Sequence, residues 1–189
     1  SIDLGSGNDR LNINANASGQ GDIRAFGALD STIDAGSGDD SVNINASASS
    51  WGWNDPATAK GLANSDVDLG KGNDRLWVSA SSSGGNSQAT AVENSDIDTG
   101  SGNDSVSINA NARSNGGGWW WRGNPATAKG LDNSNLDTGS GDDSISINTT
   151  ATSNGGWWWW GGGGNADSVG IDNNSSINTG AGNDSVVVN

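Results

Sequence analysis

The sequence predicts an all-β fold, a right-handed parallel β-helix (a solenoid) with coils of about 30 residues. Two observations lead to this prediction. A turn motif, D-x-G-x-G-[N/D]-D-x-U-x-U with U aliphatic, occurs six times with little change, and apolar and polar residues alternate after it. Alternation is typical of a strand with one buried face, and a repeated unit of this length is typical of stacked coils. The right-handed sense follows from the crossover rule for parallel strands.

The composition is unusual for a globular protein. Among 189 residues there are 31 glycines and no Cys, His, Met or Tyr, and the formal net charge is −14. Such a composition alone is typical of disorder, but the fixed spacing of the aliphatic residues favours a repeated fold. The absence of Cys excludes disulfides and thiolate metal sites. The sequence contains no stretch of about 20 apolar residues, so it predicts no transmembrane helix. The acidic balance disfavours nucleic acid and favours cations as partners.

The first strand of each coil follows the turn and has one apolar face. Its two aliphatic columns are Leu11, Val42, Leu76, Val106, Ile145 and Val186, and then Ile13, Ile44, Val78, Ile108, Ile147 and Val188. The positions between them are Asn, Ser and other polar residues, with Trp77 as the exception. A loop of variable length follows and absorbs the length differences between coils.

Two further strands are predicted in each coil. The second strand carries the column Ala25, Ala59, Ala89 and Ala128, and then Leu29, Leu62, Val92, Leu131 and Ile171, with a one-residue slip allowed at the first and last. A polar corner follows, at Asp30-Ser31, Asn64-Ser65, Asn94-Ser95, Asn133-Ser134 and Asn174-Ser175, and we expect its Asn side chains to form ladders between coils. The third strand, about four residues long, buries Ile2, Ile33, Val67, Ile97, Leu136 and Ile177.

The whole chain, residues 1–189, is predicted to be a single solenoid segment of about six coils. Neither end carries an amphipathic helix that could cap the stack, and solenoids need polar caps over their open sheet edges. We therefore expect the segment to belong to a longer array or fibre, or to stack end to end on its neighbours.

The repeated turns place carboxylates in two columns. The first Asp of each motif gives Asp3, Asp34, Asp68, Asp98 and Asp137, and the second gives Asp9, Asp40, Asp74, Asp104, Asp143 and Asp184. Coils stack about 4.8 Å apart. Two unit charges at that distance repel by about 3.5 kcal/mol at an effective dielectric constant of about 20. Such columns are hard to keep ionised without counter-cations.

The paired glycines of the motif add a second kind of oxygen ligand. They are Gly5 and Gly7, Gly36 and Gly38, Gly70 and Gly72, Gly100 and Gly102, Gly139 and Gly141, and Gly180 and Gly182. Glycine permits positive φ and can turn backbone carbonyls toward the carboxylates. Carboxylate and carbonyl oxygens are the ligands that Ca²⁺ prefers, and no His or Cys is present for zinc or copper. The alternative is a corner without an ion, in which Asp side chains accept hydrogen bonds from the backbone.

The motif resembles the calcium-binding nonapeptide of the RTX (repeats-in-toxin) family, G-G-x-G-x-D-x-U-x. The match covers Gly100, Gly102, Asp104 and Val106 and the same offsets in the other copies, while the family's leading Gly is replaced by residues such as Thr99, Leu4 and Ala35. The family runs its nonapeptides in tandem, whereas this chain has one motif per coil, so the resemblance implies one column of calcium sites between adjacent turns. Oscillin-like surface proteins and RTX adhesins are similar in kind, and they imply secretion to an extracellular or cell-surface location.

Most of the tryptophans lie in the variable loops, at Trp51, Trp53, Trp119, Trp120, Trp121, Trp157, Trp158, Trp159 and Trp160. Two interpretations remain open. The rings could cover the sheet as a small local core, or they could form an exposed patch that marks an interaction site. The partner of such a patch would be a second copy of the chain, a sugar surface or a lipid surface.

The sequence predicts that this protein is not an enzyme. Catalysis by general acids and bases needs a few distinctive groups in one place, but His and Tyr are absent and the acidic residues repeat from coil to coil. We expect an extracellular structural protein, a calcium-stabilised β-helix that self-associates through its Trp-rich loops into a surface fibre or layer. The alternative is an adhesin segment that binds polysaccharide or another surface through its aromatic face.

Overall fold

A computed structural model of the chain describes residues 1–52, 54–115, 123–154 and 164–189. These ranges contain strands and turns but no helix. The strands are β1 (Ile2–Asp3), β2 (Arg10–Gly19), β3 (Ile23–Leu29), β4 (Thr32–Asp34), β5 (Ser41–Ser50), β6 (Pro56–Ala63), β7 (Asp66–Asp68), β8 (Arg75–Gly84), β9 (Asn86–Glu93), β10 (Asp96–Asp98), β11 (Ser105–Ser114), β12 (Ala126–Asp132), β13 (Asn135–Asp137), β14 (Ser144–Ser153), β15 (Ala166–Asp172), β16 (Ser176–Asn178) and β17 (Ser185–Val188).

The strands form three parallel sheets in which equivalent strands of successive coils are neighbours. The short sheet has the order β1-β4-β7-β10-β13-β16, the long sheet β2-β5-β8-β11-β14-β17, and the middle sheet β3-β6-β9-β12-β15. Each strand pairs in parallel with the strand one coil away. This arrangement confirms the predicted parallel β-helix with three strands per coil.

The inward faces of the three sheets share one narrow apolar core. In the long sheet the predicted columns are buried, for example Val42, Leu76, Ile44 and Val78. The short sheet adds Ile33, Val67, Ile97 and Leu136, and the middle sheet adds mostly alanines. Burying one aliphatic side chain of this size contributes about 1.5–3 kcal/mol, and the repeat provides several in every coil. The predicted core columns are therefore confirmed in the inner coils, whereas Val186, Val188 and Ile171 of the edge strands β17 and β15 are 44%, 45% and 40% exposed.

One position of the predicted middle-sheet column is wrong. Ala28, and not Leu29, pairs with Leu62 of the next coil, and Leu29 is 45% exposed. A strand that slipped by one residue would turn its whole buried face to solvent, so the register set by Ala25 excludes Leu29 from the core. In the last coil no slip is needed, because Ile171 pairs directly with Leu131.

The predicted ladder of Asn side chains is present at the polar corner. Asn94 Nδ2 donates a hydrogen bond to Asn64 Oδ1 at 3.2 Å, and Asn133 Nδ2 donates to Asn94 Oδ1 at 2.9 Å. These corner residues have φ near +50°, in the left-handed region that Asn tolerates better than most residues. In the last coil Asn173 takes this conformation and not the predicted Asn174, because the corner there is one residue longer.

Candidate metal centre

Each G-x-G turn joins a strand of the short sheet to a strand of the long sheet. All twelve predicted glycines have positive φ, between 69° and 152°. The residue between the two glycines pairs in parallel from coil to coil, as Lys71 does with Ser101. The Ser101 N–H donates to Gly70 O at 3.0 Å. The turns are therefore stacked in register, and each residue type of the motif forms a continuous column as predicted.

The first aspartate column faces solvent and caps the turn. Asp34, Asp68 and Asp98 are exposed on the outer face of the short sheet, in register with one another. Asp137 Oδ1 accepts a hydrogen bond from the Gly139 N–H at 3.0 Å. Partial burial, and then the charges of Asp98 and Asp34, raise the pKa of the Asp68 carboxyl above its ordinary value. These side chains therefore match the predicted alternative, in which an Asp braces the backbone of the turn.

The second aspartate column points inward. Asp40, Asp74, Asp104 and Asp143 are all buried, and Asp74 is only 1% exposed. In each case Oδ1 accepts a hydrogen bond from the backbone N–H of the equivalent aspartate in the preceding coil. The distance is 2.7 Å from the Asp40 N–H to Asp74 Oδ1 and 2.8 Å from the Asp74 N–H to Asp104 Oδ1. One carboxylate oxygen per coil thus ties the corner of one coil to the next.

The other oxygen of this inward column has no partner. Among the described residues, Oδ2 of Asp9, Asp40, Asp74, Asp104 and Asp143 is buried and takes part in no hydrogen bond. A buried polar atom without a partner costs about 1–3 kcal/mol, and more when it carries charge. The same unpaired atom therefore recurs at the same place in five successive coils, which makes it a property of the repeat.

The surroundings of Asp74 and Asp104 raise the affinity of these two inward carboxyls for protons. Burial is the largest cause that raises the pKa of Asp74 to about 6, and the charges of Asp104, Asp40 and Asp39 act in the same direction. The hydrogen bond from the Asp40 backbone opposes them. Burial also raises the pKa of Asp104. Desolvation thus penalises the charged form, and a proton or a cation would relieve that penalty.

A residue that the sequence analysis did not assign to the site lies beside this column. Thr99, buried at the position between the first Asp and the first Gly, donates a hydrogen bond from Oγ1 to Thr138 O at 3.4 Å. Its hydroxyl also lowers the pKa of the nearby Asp104 carboxyl, against the effect of burial. The equivalent residue beside Asp74 is the buried Leu69. The signal for such a role was present in the sequence, since this position changes from Leu4, Ala35 and Leu69 to Thr99, Thr138 and Thr179 along the chain.

A second ladder runs along the outside of the turns, at the residue before each inward aspartate. The Asn73 N–H donates to Asp39 Oδ1 at 2.8 Å, and the Asn103 N–H donates to Asn73 Oδ1 at 2.9 Å. In this ladder the later coil donates to the earlier one, whereas in the inward ladder the earlier coil donates to the later one. Asp39 therefore accepts a backbone hydrogen bond in the same way as the Asn residues that occupy this position in neighbouring coils.

The structure separates the two carboxylate columns that the motif places close in sequence. The first column lies on the outer face and the second on the inner face, because the residue after the first Asp is buried in the inner coils, as Ala35, Leu69 and Thr99 are. Across the described ranges, no group of three or more acidic side chains converges as a metal site would require. The inward column fits a cation better than the outer one, since its Oδ2 atoms are unpaired hard oxygen ligands.

Most of the tryptophans that were predicted to make contacts lie outside the described residues. These are Trp53, Trp119, Trp120, Trp121, Trp157, Trp158, Trp159 and Trp160. Trp51, directly after β5, is 61% exposed. Trp77, the third residue of β8, is 48% exposed. In the part of the chain that the structure describes, no helix is long and apolar enough to cross a membrane.

Comparison of this chain with protein families, curated proteins and solved structures found no match to any of the three.

Proposed function

We propose that this chain is part of an extracellular structural protein whose β-helix is stabilised by Ca²⁺ at the inward aspartate column. The observation that carries the proposal is the buried, unpaired Oδ2 atom that recurs in five coils. Adjacent carboxylates in the column repel one another, and burial strengthens that repulsion. A divalent cation would offset both the repulsion and the missing hydrogen bonds.

The composition and chemistry of the turns support calcium over other cations. The chain has a net charge of −14 and no His or Cys, so its metal ligands are oxygens. Ca²⁺ accepts carboxylate and backbone oxygens in flexible, high-coordination geometry, whereas Mg²⁺ demands near-octahedral sites. Asp9, Asp40, Asp74, Asp104 and Asp143 would hold the ion, which would supply charge neutralisation and no reaction chemistry.

An extracellular location agrees with weak calcium sites. Extracellular calcium modules bind with dissociation constants of about 10⁻⁴ to 10⁻³ M, which suffices only where calcium is abundant. A site with one carboxylate per coil has few charged ligands, and affinity falls as the number of charged ligands falls. We infer that the solenoid is stable where calcium is plentiful and less stable where it is scarce.

Self-association is the second part of the proposal. Trp51 leaves most of its side chain in water at the start of a tryptophan-containing loop. Exposed aromatic side chains are enriched where proteins contact partners. Contacts between the Trp-rich loops of neighbouring copies would assemble the solenoids into a surface fibre or layer. In the alternative function, an adhesin segment, the same loops bind polysaccharide or another surface.

Calcium is expected to raise the melting temperature of the chain by several degrees over its value in EGTA. When the free calcium concentration is about 100 times the dissociation constant, one site adds about 2.7 kcal/mol to the free energy of unfolding. Thermal melts followed by circular dichroism, with calorimetric titration of Ca²⁺, measure the effect. Magnesium at the same concentration should give a smaller shift, because Mg²⁺ demands near-octahedral geometry and gives up its bound waters reluctantly. Equal melting curves in EGTA and in calcium would refute the proposal.

A matched pair of variants distinguishes the two columns. Changing Asp74 and Asp104 to Asn keeps the Oδ1 acceptors but removes two inward charges, so the calcium effect should shrink sharply. The control changes Asp68 and Asp98 to Asn on the outer face and should leave the calcium effect nearly intact. If the control lost the calcium effect and the inward variant kept it, the ligand assignment would have to move to the outer column.

Replacing Trp51, Trp157, Trp158, Trp159 and Trp160 by Ser is expected to abolish assembly while the melting temperature in calcium changes little. Sedimentation velocity and electron microscopy of calcium-saturated protein measure the loss of large species. Assembly that persists in this variant would exclude the tryptophan loops as the contacts. A large loss of stability would support the other interpretation, in which the rings cover the sheet.

A further inference from the structure

Trp77 is the place where the outer face of the long sheet departs from its repeat. Its equivalents in the neighbouring coils are Asn43 in β5 and Ser107 in β11, with which it pairs in register. Trp77 is 48% exposed although it is the third residue of a ten-residue strand that is bonded to a neighbouring strand on both sides. A strand bonded to two neighbours is rigid, so the indole is presented on a fixed platform and not on a loop.

The outward side chains that follow Trp77 along β8 are short. They are Ser79, Ser81 and Ser83, and they alternate with buried residues. On the β11 side longer side chains lie beside them, since Asn109, Asn111 and Arg113 pair with Ser79, Ser81 and Ser83. On the β5 side only Ser79 has a longer neighbour, Asn45, because Ser81 and Ser83 pair with serines. From Trp77 to Ser83 the strand extends about 20 Å, and its two flanking strands lie about 10 Å apart. We call this feature the β8 trough: a floor of Ser79, Ser81 and Ser83 with Trp77 at one end.

The amide ladder of this face is interrupted at the same coil. Asn45 Nδ2 donates to Asn14 Oδ1 at 3.1 Å, and Asn148 Nδ2 donates to Asn109 Oδ1 at 3.2 Å. The column position between Asn45 and Asn109 is Ser79, whose side chain is too short to continue an amide ladder. Amide groups therefore border the trough on both sides, and each amide contains both donors and acceptors.

The face that carries the trough contains no acidic residue. None of the long-sheet strands β2, β5, β8, β11, β14 and β17 contains Asp or Glu. The charged residues of β8 and β11 are Arg75 and Arg113, near the two ends of the trough. These arginines make the two ends of the trough cationic, and between them the trough is a neutral surface of hydroxyl and amide groups in a chain with a net charge of −14. Its chemistry suits an uncharged ligand that is rich in hydroxyl groups.

We propose that the β8 trough binds a neutral polysaccharide, with one sugar ring packed on the indole of Trp77. The face of an aromatic ring is electron-rich and attracts the C–H groups of a pyranose ring. The hydroxyl groups along the sugar chain would exchange hydrogen bonds with Ser79, Asn45 and Asn109. The length of the trough suits an oligosaccharide segment and not a single sugar. This site is separate from the aspartate column and from the tryptophan loops.

Two other occupants fit the trough less well. Single-stranded nucleic acid also stacks on aromatic rings, but it needs a groove lined with cations, and two arginines do not supply one. A second copy of the chain would bring another charge of −14 toward the same face. A neutral glycan brings no such charge.

The test measures binding of soluble neutral oligosaccharides to calcium-saturated protein. Cellohexaose, laminarihexaose, maltohexaose and chitohexaose serve as probes in calorimetric titration, with polygalacturonate as a charged comparison. At least one neutral probe is expected to bind, and Trp77→Ala should weaken that binding at least tenfold. Ser79→Asn should weaken it as well, because it continues the amide ladder across the trough. Leu29→Ala, which removes an exposed apolar side chain from the middle sheet, should bind as tightly as the unchanged chain.

Several results would overturn the proposal. They are the failure of all four neutral probes, unchanged binding by Trp77→Ala, and tighter binding of polygalacturonate than of any neutral probe. Sedimentation velocity tests whether a second copy of the chain occupies the trough. A loss of dimers in Trp77→Ala would assign the trough to a second copy. Circular dichroism melts should be nearly the same for all variants, because Trp77, Ser79 and Leu29 lie outside the core. Failure of calcium to stabilise the chain would leave these binding measurements unaffected.

Discussion

Replacing Gly72 by alanine is expected to lower the free energy of unfolding by more than about 4 kcal/mol, which is exceptional for one substitution. Gly72 has φ of +139°, a conformation that costs a residue with a side chain about 1–3 kcal/mol. A Cβ atom there would also lie 1.9 Å from the carbonyl oxygen of Gly38 in the preceding coil. Two backbones would have to separate, which would break the hydrogen bonds that stack the turns.

The control for this prediction is Gly7→Ala. Gly7 occupies the same place in the first motif with φ of +121°, but nothing lies within 4 Å of its Cβ position. The control therefore carries the backbone strain without the clash between coils, and it should cost only about 1–3 kcal/mol. Urea denaturation measures both values. Equal losses in the two variants would show that strain within the turn, and not coil stacking, makes glycine necessary.

In metal-free protein the free energy of unfolding is expected to fall as the pH rises from about 4 to about 7. The pKa of Asp74 is raised from 3.8 to about 6 in the folded chain, and the pKa values of Asp104 and Asp68 are raised as well. Between the unfolded and the folded pKa, the folded chain binds more protons than the unfolded chain, so added protons favour folding. One pKa unit corresponds to about 1.4 kcal/mol, which gives Asp74 an upper bound of about 3 kcal/mol. Allowing for solvent near the corner, we expect about 1–2 kcal/mol from this residue.

Urea denaturation in EGTA at several pH values measures the profile. Asp74→Asn has no titrating group at this position and should flatten it. Below about pH 4 stability should fall again, because hydrogen bonds lower the pKa of Asp142 and Asp172, whose contributions are lost on protonation. Saturating calcium should reverse the slope above pH 4, since protons and calcium would compete for the same oxygens. Stability that rises with pH in EGTA would show that the inward column is ionised without difficulty.

The repeat made the fold predictable to an unusual degree. A single strand such as β5 could be assigned only weakly from its own residues, but six copies in register show which positions are inward. Leu29, the core residue whose register was predicted wrongly, occurs where the repeat is imperfect and its spacing allows two registers. The pairing of Ala25 with Ala59 decides between them, and that is a contact between coils. Val186, Val188 and Ile171 have the predicted register but are exposed because they lie in edge strands.

The candidate site was predicted less completely. The motif identifies both aspartates of each turn, and in sequence they are equivalent ligands. Which of them faces the core depends on the path of the glycine turn between Asp98 and Asp104. The structure turns Asp98 to solvent and buries Asp104 beside Thr99. Thr99 was not predicted to belong to the site, because its hydroxyl can affect the Asp104 carboxyl only when the fold places the two side chains close together.

The sequence by itself determined the coil length, the turn, the core columns and the abundance of oxygen ligands, because each of these repeats with the same spacing. Only the tertiary structure decided the opposite directions of the two carboxylate columns, the unpaired Oδ2 atoms and the neutral trough beside Trp77. These features depend on neighbours about 30 to 40 residues away in the chain but one strand away in space, about 4.8 Å. Spacing along one coil fixes which residues are inward, while hydrogen bonding between coils fixes which of their atoms remain unpaired.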